Sequence, residues 1–460
     1  MWQVECAAAG GSARASSCCG HREHGTLLEG VRRGRVYVWT ADPSHLLGGR
    51  VTARVVPLLR LDTDGEGSGR LWGRFVRVRN GGAVNEPDWA TGSIRGFPIG
   101  DAQPNAEGDF LFEQVRGGGR MDKVVLAAPD LRWRYIQASH FGEVNAYFHL
   151  DCIAAYVDDL LRQLAAPPLP CVPAVVSAHH AATEDDGIRD GVRRGNRWLP
   201  FQGGHYRLPS RRYDLCEPKP ISPDGEIHLG PGWQLLEHGA LVEAAGGRYR
   251  HNASHNAGIL YHEYGHHITR HTADFRANVL RPPHRQSNRK TAMDEGTCDY
   301  WAATMLGTPH IWAWHRRHDD QEVHPRSLTS SKTMADYDLS PGADPHANGT
   351  IWAAALWDLR TQLGATEPDG VRQTDLVVLK ALLLLGKLVD HAREATGTSI
   401  RRARESYAAG LNALLQADEL LNAGRHRKII LASFSKRGIQ PAPSVRNGTV
   451  GELCFDLQSS

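Results

Sequence analysis

The chain has 460 residues, of which 53 are Lys or Arg and 51 are Asp or Glu, for a formal charge of +2. That length carries two or three domains with a sizeable core, and the balanced charge gives no reason to expect nucleic acid or a membrane surface as a partner. Eight cysteines, irregularly spaced, are too few for a disulfide scaffold or a cysteine-built metal cluster.

In chain order, residues 1–25 read as a disordered leader. Met1–Gly30 shows no basic start followed by an apolar core of signal-peptide length. Residues 26–104 are short-patterned and β-rich, with Arg35-Val-Tyr-Val-Trp, Arg50-Val-Thr-Ala-Arg-Val-Val and Gly69-Arg-Leu-Trp-Gly-Arg-Phe-Val separated by turn residues. They predict a small sheet or sandwich domain. Asp62-Thr-Asp-Gly-Glu-Gly lacks the full ligand spacing of a calcium loop and reads as a hairpin turn, so Ca2+ is not supported.

Residues 105–255 read as the first lobe of a larger domain. It has a helix over Phe141–Leu164, a β region that includes Cys171-Val-Pro-Ala-Val-Val, and a short strand, Glu226-Ile-His-Leu, after the Pro223-Asp-Gly turn. Residues 256–440 read as a mostly helical second lobe. Its helices start near Asn256 and Ala292, then run over Gly349–Leu363, Asp375–Thr396 and Arg401–Ala423; Arg425–Arg437 closes the lobe, ahead of a loose tail at 441–460. The most apolar run, Leu376–Val389, is interrupted by Lys380 and Lys387, which makes it a buried helix and not a membrane span.

The chemistry lies at the start of the helical lobe. In Asn256-Ala-Gly-Ile-Leu-Tyr-His-Glu-Tyr-Gly-His-His an N-cap residue precedes an apolar run, and a helix from Asn256 puts His262 and His266 four apart on one face. Two imidazoles at that spacing can bind one zinc ion, with Glu263 turned to reach its water. With 24 histidines in the chain the motif alone is not decisive. A catalytic zinc takes three protein ligands and keeps one position open. Ala292-Met-Asp-Glu-Gly-Thr-Cys-Asp-Tyr reads as a second helix carrying Glu295 and Asp299 on one face. Glu295 can supply the third ligand, and Asp299 can accept the free N–H of His262 and fix its tautomer. A metzincin pattern fails, because Thr269 and Thr272 stand where it needs glycine and a third histidine. His267 and His271 read as packed or surface histidines, and Cys152 and Cys298 as packed thiols.

His-Glu-Tyr-Gly-His at 262–266, followed after a long connection by Glu295 in Asp-Glu-Gly-Thr-Cys-Asp-Tyr, resembles the gluzincin metallopeptidases, and specifically their fungalysin branch. Glu143-Val-Asn-Ala-Tyr-Phe-His-Leu-Asp and His346-Ala-Asn-Gly-Thr-Ile-Trp agree, and the resemblance covers about residues 105–440. It implies an α+β fold: a thermolysin- and fungalysin-like two-lobed zincin catalytic domain, here preceded by the small β-rich domain. It also implies one catalytic zinc ion, a polypeptide substrate, and His346 as the donor that stabilises the tetrahedral intermediate. Asp344 or Asp338 would orient that histidine, and Tyr337 would stand in for an assisting tyrosine. In relatives the strand matching Glu226, Ile227, His228 and Leu229 lies at a sheet edge over the cleft, where an extended peptide can add as one more strand. An internal strand with no ligand role is the equal alternative, and His228 itself reads as a packed or solvated residue.

The mechanism these residues imply is a zinc-bound water with its pKa brought down to roughly 7. Glu263 takes its proton during attack on the peptide carbonyl and passes it to the leaving amine. The competing reading is a catalytically silent, zinc-stabilised scaffold or binding module, since Gly349-Thr350 stands where fungalysins often have Gly-Glu. Relatives are usually exported, whereas no signal peptide is visible at the N-terminus, so the two signals for localisation disagree. Subsite preference and oligomeric state leave no mark in the sequence.

Overall fold

Helix α1, Ala128–Gln163, is the element on which the sheets and the helices both pack. From Phe141 to Ile153 it is buried on every side, so it lies inside the molecule and not on its surface. Its buried polar residues each have partners. Glu143 accepts from Asn80 and from the backbone of Ala102, Asp151 binds Arg60, and His149 lies between Tyr261 Oη and Tyr37 O. The helix begins well before Phe141, where the sequence pattern places its start. This computed structural model describes residues 31–37, 53–88, 93–113, 128–181, 198–200, 203–209, 221–236, 241–243, 252–283, 285–311, 326–340, 342–387 and 400–442. The leader, and the tail beyond residue 442, lie outside the described residues.

Beside α1 runs a four-stranded sheet. Its order is β3 (Val76–Asn80), β6 (Val172–Val176), β10 (Glu226–Leu229) and β9 (Gly204–Arg207). The β3, β6 and β10 strands are parallel, and β9 returns antiparallel to β10. The apolar β6, Val-Pro-Ala-Val-Val, suits a parallel position covered on both faces. A second sheet has the order β12 (Leu241–Glu243), β11 (Trp233–Leu236), β4 (Ala83–Asp88) and β5 (Ser93–Pro98). Two two-stranded ribbons remain: β1 (Arg33–Tyr37) with β2 (Ala53–Pro57), packed against α1, and β7 (His179–Ala181) with β8 (Trp198–Pro200).

Two expectations are corrected here. Residues 26–104 do not form a separate β-rich domain, because β3 shares a sheet with β6 and β4 shares one with β11. Val36, Leu58 and Leu71 accordingly belong to the same hydrophobic core as Ile259, Trp301 and Leu411. A parallel pair needs a crossover, and α1 supplies it between β3 and β6. The second correction concerns Glu226, Ile227, His228 and Leu229, which are an inner strand. The β6 strand pairs with one side of them and β9 with the other, and all four residues are buried. Among the described residues the edge belongs to β9.

The helical half is built on three helices in close contact: α2 (Ala257–Arg270), α3 (Ala292–Leu306) and α4 (Pro345–Thr366). A Cβ on Gly265 would lie 2.7 Å from the Cα of Cys298, and one on Gly296 would lie 2.3 Å from the carbonyl oxygen of Gly349. Only the lack of side chains lets α2 meet α3, and α3 meet α4, backbone to backbone. Behind them lie α5 (Gly370–Lys387), α6 (Ile400–Asn422) and α7 (Arg427–Ser435). No helix among the described residues is long and apolar enough to cross a membrane.

Burial makes this fold sensitive to acid. His149 and His228 are each fully enclosed, and desolvation drags both imidazoles down to about 4, against the hydrogen bonds that favour protonation. Below the ordinary histidine value the unfolded chain binds protons that the folded chain refuses. The stability is therefore complete above about pH 6.5 and falls as pH drops toward 4, by on the order of 3 kcal/mol for each residue. Urea midpoints are expected to fall between pH 7 and 4.5, and to fall less in His149→Gln. An identical fall in that variant would remove His149 from the account.

Candidate active site

Each site helix is fixed in register by its own cap. Asn256 Oδ1 accepts from the backbone N–H groups of Gly258 and Ile259 and starts α2, which leaves His262 and His266 with their rings 5.0 Å apart. Thr291 Oγ1 accepts from Asp294 N at the start of α3, and Gly307, at φ 66°, closes it. Asp344 caps α4 by accepting from His346 N, with Pro345 in the first turn.

These helices converge on the carboxylate of Glu295. Its Oε2 lies 3.0 Å from His262 Nε2, 3.5 Å from His266 Nε2 and 2.9 Å from His346 Nε2. The far side of every ring is also held. His262 Nδ1 is 2.7 Å from Asp299 Oδ1, and Arg326 donates to both oxygens of Asp299 through Nη2 and Nε. His266 Nδ1 is 3.1 Å from Asp294 Oδ1, and Asp294 also accepts from Thr269 Oγ1. His346 Nδ1 is 2.6 Å from Asp344 Oδ1. At His262 and His266 the carboxylate on Nδ1 keeps the proton there and turns the Nε2 lone pair to the centre, the orientation a metal ligand needs.

The electrostatics follow from this crowding. Burial would raise the Glu295 carboxyl, but His346 and His266 outweigh it and hold it well below the usual carboxylate range. Burial and neighbouring cations pull the two imidazoles down, yet the carboxylates prevail and bring each to about 9. Asp299 is likewise held low, its burial overcome by Arg326 and His262.

The donor chemistry fits zinc. Donor atoms of His262, Glu295 and His346 lie within 4.8 Å of one another, as do those of His262, His266 and Cys298. Nitrogen and carboxylate oxygen are the donors zinc accepts in open sites. His266 is almost fully buried on the same helix as His262, whereas the His346 side chain is 34 % exposed at the mouth.

Glu263 stands apart from this network. It makes no hydrogen bond or ion pair with other described residues, and β9 passes directly over it. A Cβ on Gly204 would lie 2.6 Å from Glu263 Cγ. The Glu263 side chain is thus buried directly against β9.

Of the expected residues, the structure brings together His262, His266, Glu295, Asp299 and His346. Asp344, not Asp338, faces His346, while Asp338 accepts from Ser340 N. Tyr337 packs on Tyr407 in the core. His267 turns to Tyr206 and Pro170, and His271 to the Asp224 carbonyl. Cys152 is buried, and Cys298, also buried, brings Sγ to 3.1 Å from His266 Nδ1. Two residues escape sequence reasoning. Asp294 is the neighbour of Glu295 on the first turn of α3, a position that a search for an acceptor behind His266 could have found. Arg326 reaches Asp299 from a segment with no motif of its own, and nothing in the sequence marks it.

A helix that offers two imidazoles to a carboxylate on the next helix, with a spare glutamate beside the first, has the form of an HExxH metallopeptidase. The chain belongs to the fungalysin metallopeptidase family (M36), whose model matches residues 32–441. It is 25% identical over 211 residues to the extracellular metalloproteinase mep of Aspergillus terreus, covering 43% of this chain and 32% of that protein. It is 26% identical over 213 residues to extracellular metalloproteinase 4 of Trichophyton tonsurans, covering 42% and 32%. The chain thus spans about a third of the length of the curated relatives it matches.

Proposed function

We propose that this chain is a zinc-dependent metalloendopeptidase of the gluzincin type, with His262, His266 and Glu295 as ligands and Glu263 as general base. The observation that carries the reading is a contrast between two glutamates. Glu295 is enclosed by imidazole nitrogens, while Glu263, one position along α2 from His262, lies buried beside β9 with no hydrogen bond or ion pair to other described residues. A purely structural site has no use for the second.

Bound zinc supplies Lewis acidity, which polarises a peptide carbonyl and acidifies water. The chain's own residues do the remainder. Asp299 and Asp294 hold His262 and His266 in the ligating tautomer, and Arg326 keeps Asp299 ionised and in place. Glu263 accepts the proton of the attacking water and returns it to the leaving amine. His346, oriented by Asp344, donates from Nε2 to the developing oxyanion, a contribution whose removal typically costs about a hundred- to a thousandfold in rate. Substrate enters extended along β9, the edge strand among the described residues, where backbone pairing holds it beside Glu263.

The test joins two measurements on one purified sample: zinc content and cleavage of denatured casein. The expected result is bound zinc, cleavage, and loss of both on chelation, with recovery on adding zinc. Bound zinc without cleavage of any denatured protein would instead support the silent scaffold.

A further inference from the structure

We infer that the cavity between β9 and the 270–290 segment receives an acidic side chain of the substrate, on the amino-terminal side of the bond cut. This rests on the endopeptidase reading and adds a substrate class to it. An open depression lies beside His266, walled by Tyr206 and Leu208 at the β9 edge, by Arg270, and by Arg289 and Lys290. The segment that forms its outer wall is strongly one-signed. Arg270, Arg276, Arg281, Arg285, Arg289 and Lys290 stand against the single acid Asp274, in a chain whose total charge is only +2.

The acids in the wall are already engaged. Asp274 pairs with Arg270 Nη1 and accepts from Val279 N, and Asp294 is taken by His266 and Thr269. The donors are not all engaged. Arg270 Nε is buried without a hydrogen-bond partner. Lys290 Nζ rests 5.0 Å from the centre of the Tyr206 ring and forms no ion pair with other described residues. A buried donor without a partner and a cation that forms no ion pair with other described residues, on one cavity wall, call for an acceptor that carries charge. An apolar side chain would leave both unsatisfied.

Position follows from the sheet. A peptide added antiparallel to β9 runs from the Leu208 end toward Gly204, and Gly204 is the residue over Glu263. Residues beside Tyr206 and Leu208 therefore precede the bond cut.

The experiment uses the full zinc-loaded chain carrying Glu263→Gln and three fluorescent peptides that differ only in one residue, Glu, Gln or Lys, two places before the cleaved bond. Fluorescence anisotropy is expected to show the Glu peptide binding about tenfold more tightly than the Gln peptide, and the Lys peptide more weakly still. The preference should shrink as salt shortens the Debye length below about 8 Å, and should vanish in Lys290→Met. Equal binding of the three peptides, or no binding of any at millimolar concentration, overturns the acidic subsite. So does a preference that Lys290→Met and Arg289→Gln leave intact. In parallel, the unaltered enzyme is assayed for cleavage of the same peptides. A retained Glu preference without cleavage removes the endopeptidase reading and leaves the acidic site standing.

Discussion

Glu263→Gln is expected to lower kcat on a denatured protein by at least about a hundred- to ten-thousandfold, the range for removing a positioned general base. Zinc content and folding should not change. The amide keeps the size of the carboxylate, so its contact with Gly204 survives, and no ion pair among the described residues depends on the lost charge. What disappears is an atom that can hold a proton between water and amine. Turnover within a few-fold of the parent, with zinc bound, would take the base role away from Glu263. Loss of zinc together with turnover would instead move Glu263 into the ligand set, which its separation from Glu295, His262 and His266 in the hydrogen-bond network opposes.

Much of the site is legible because helices write their faces into sequence. Asn256 and Thr291 mark the starts of α2 and α3, and a four-residue spacing then settles which side chains share a side. His262, His266, Glu295 and Asp299 could be chosen from that rule. The glycines that let the three helices touch, Gly265, Gly296 and Gly349, carry no such message alone, since each acquires meaning only from the backbone it meets. The sheets are less legible for the same reason. The β9 strand is four residues containing glycine, too short to show alternation, so nothing in the sequence marks it as the edge, and the resemblance alone points to β10. Strand partnership across α1 is equally silent, and this is why residues 26–104 resemble a domain of their own until β3 is seen beside β6. Arg326 is the extreme case: its role comes wholly from where the chain returns.

Replacing the carboxylates of the zinc site should separate metal binding from stability. Asp299→Asn is expected to weaken zinc about 10- to 100-fold, because the group that fixes the His262 tautomer loses its charge. It should also cost the metal-free protein about 3–5 kcal/mol, since Arg326 is left buried beside a neutral amide. Glu295→Gln should lose more zinc than Asp299→Asn, as it removes the anionic ligand itself, yet it strips no buried guanidinium of its counter-charge. Zinc affinity by chelator competition and urea unfolding of the metal-free chains read these two effects independently. Adding Arg326→Met to Asp299→Asn gives the sharper result. The pair couples, so part of the lost stability returns once the buried guanidinium is gone, while zinc affinity stays low because His262 still lacks its carboxylate. If the double variant instead regained zinc along with stability, Asp299 would matter only as the partner of Arg326, and the tautomer argument for His262 would fall.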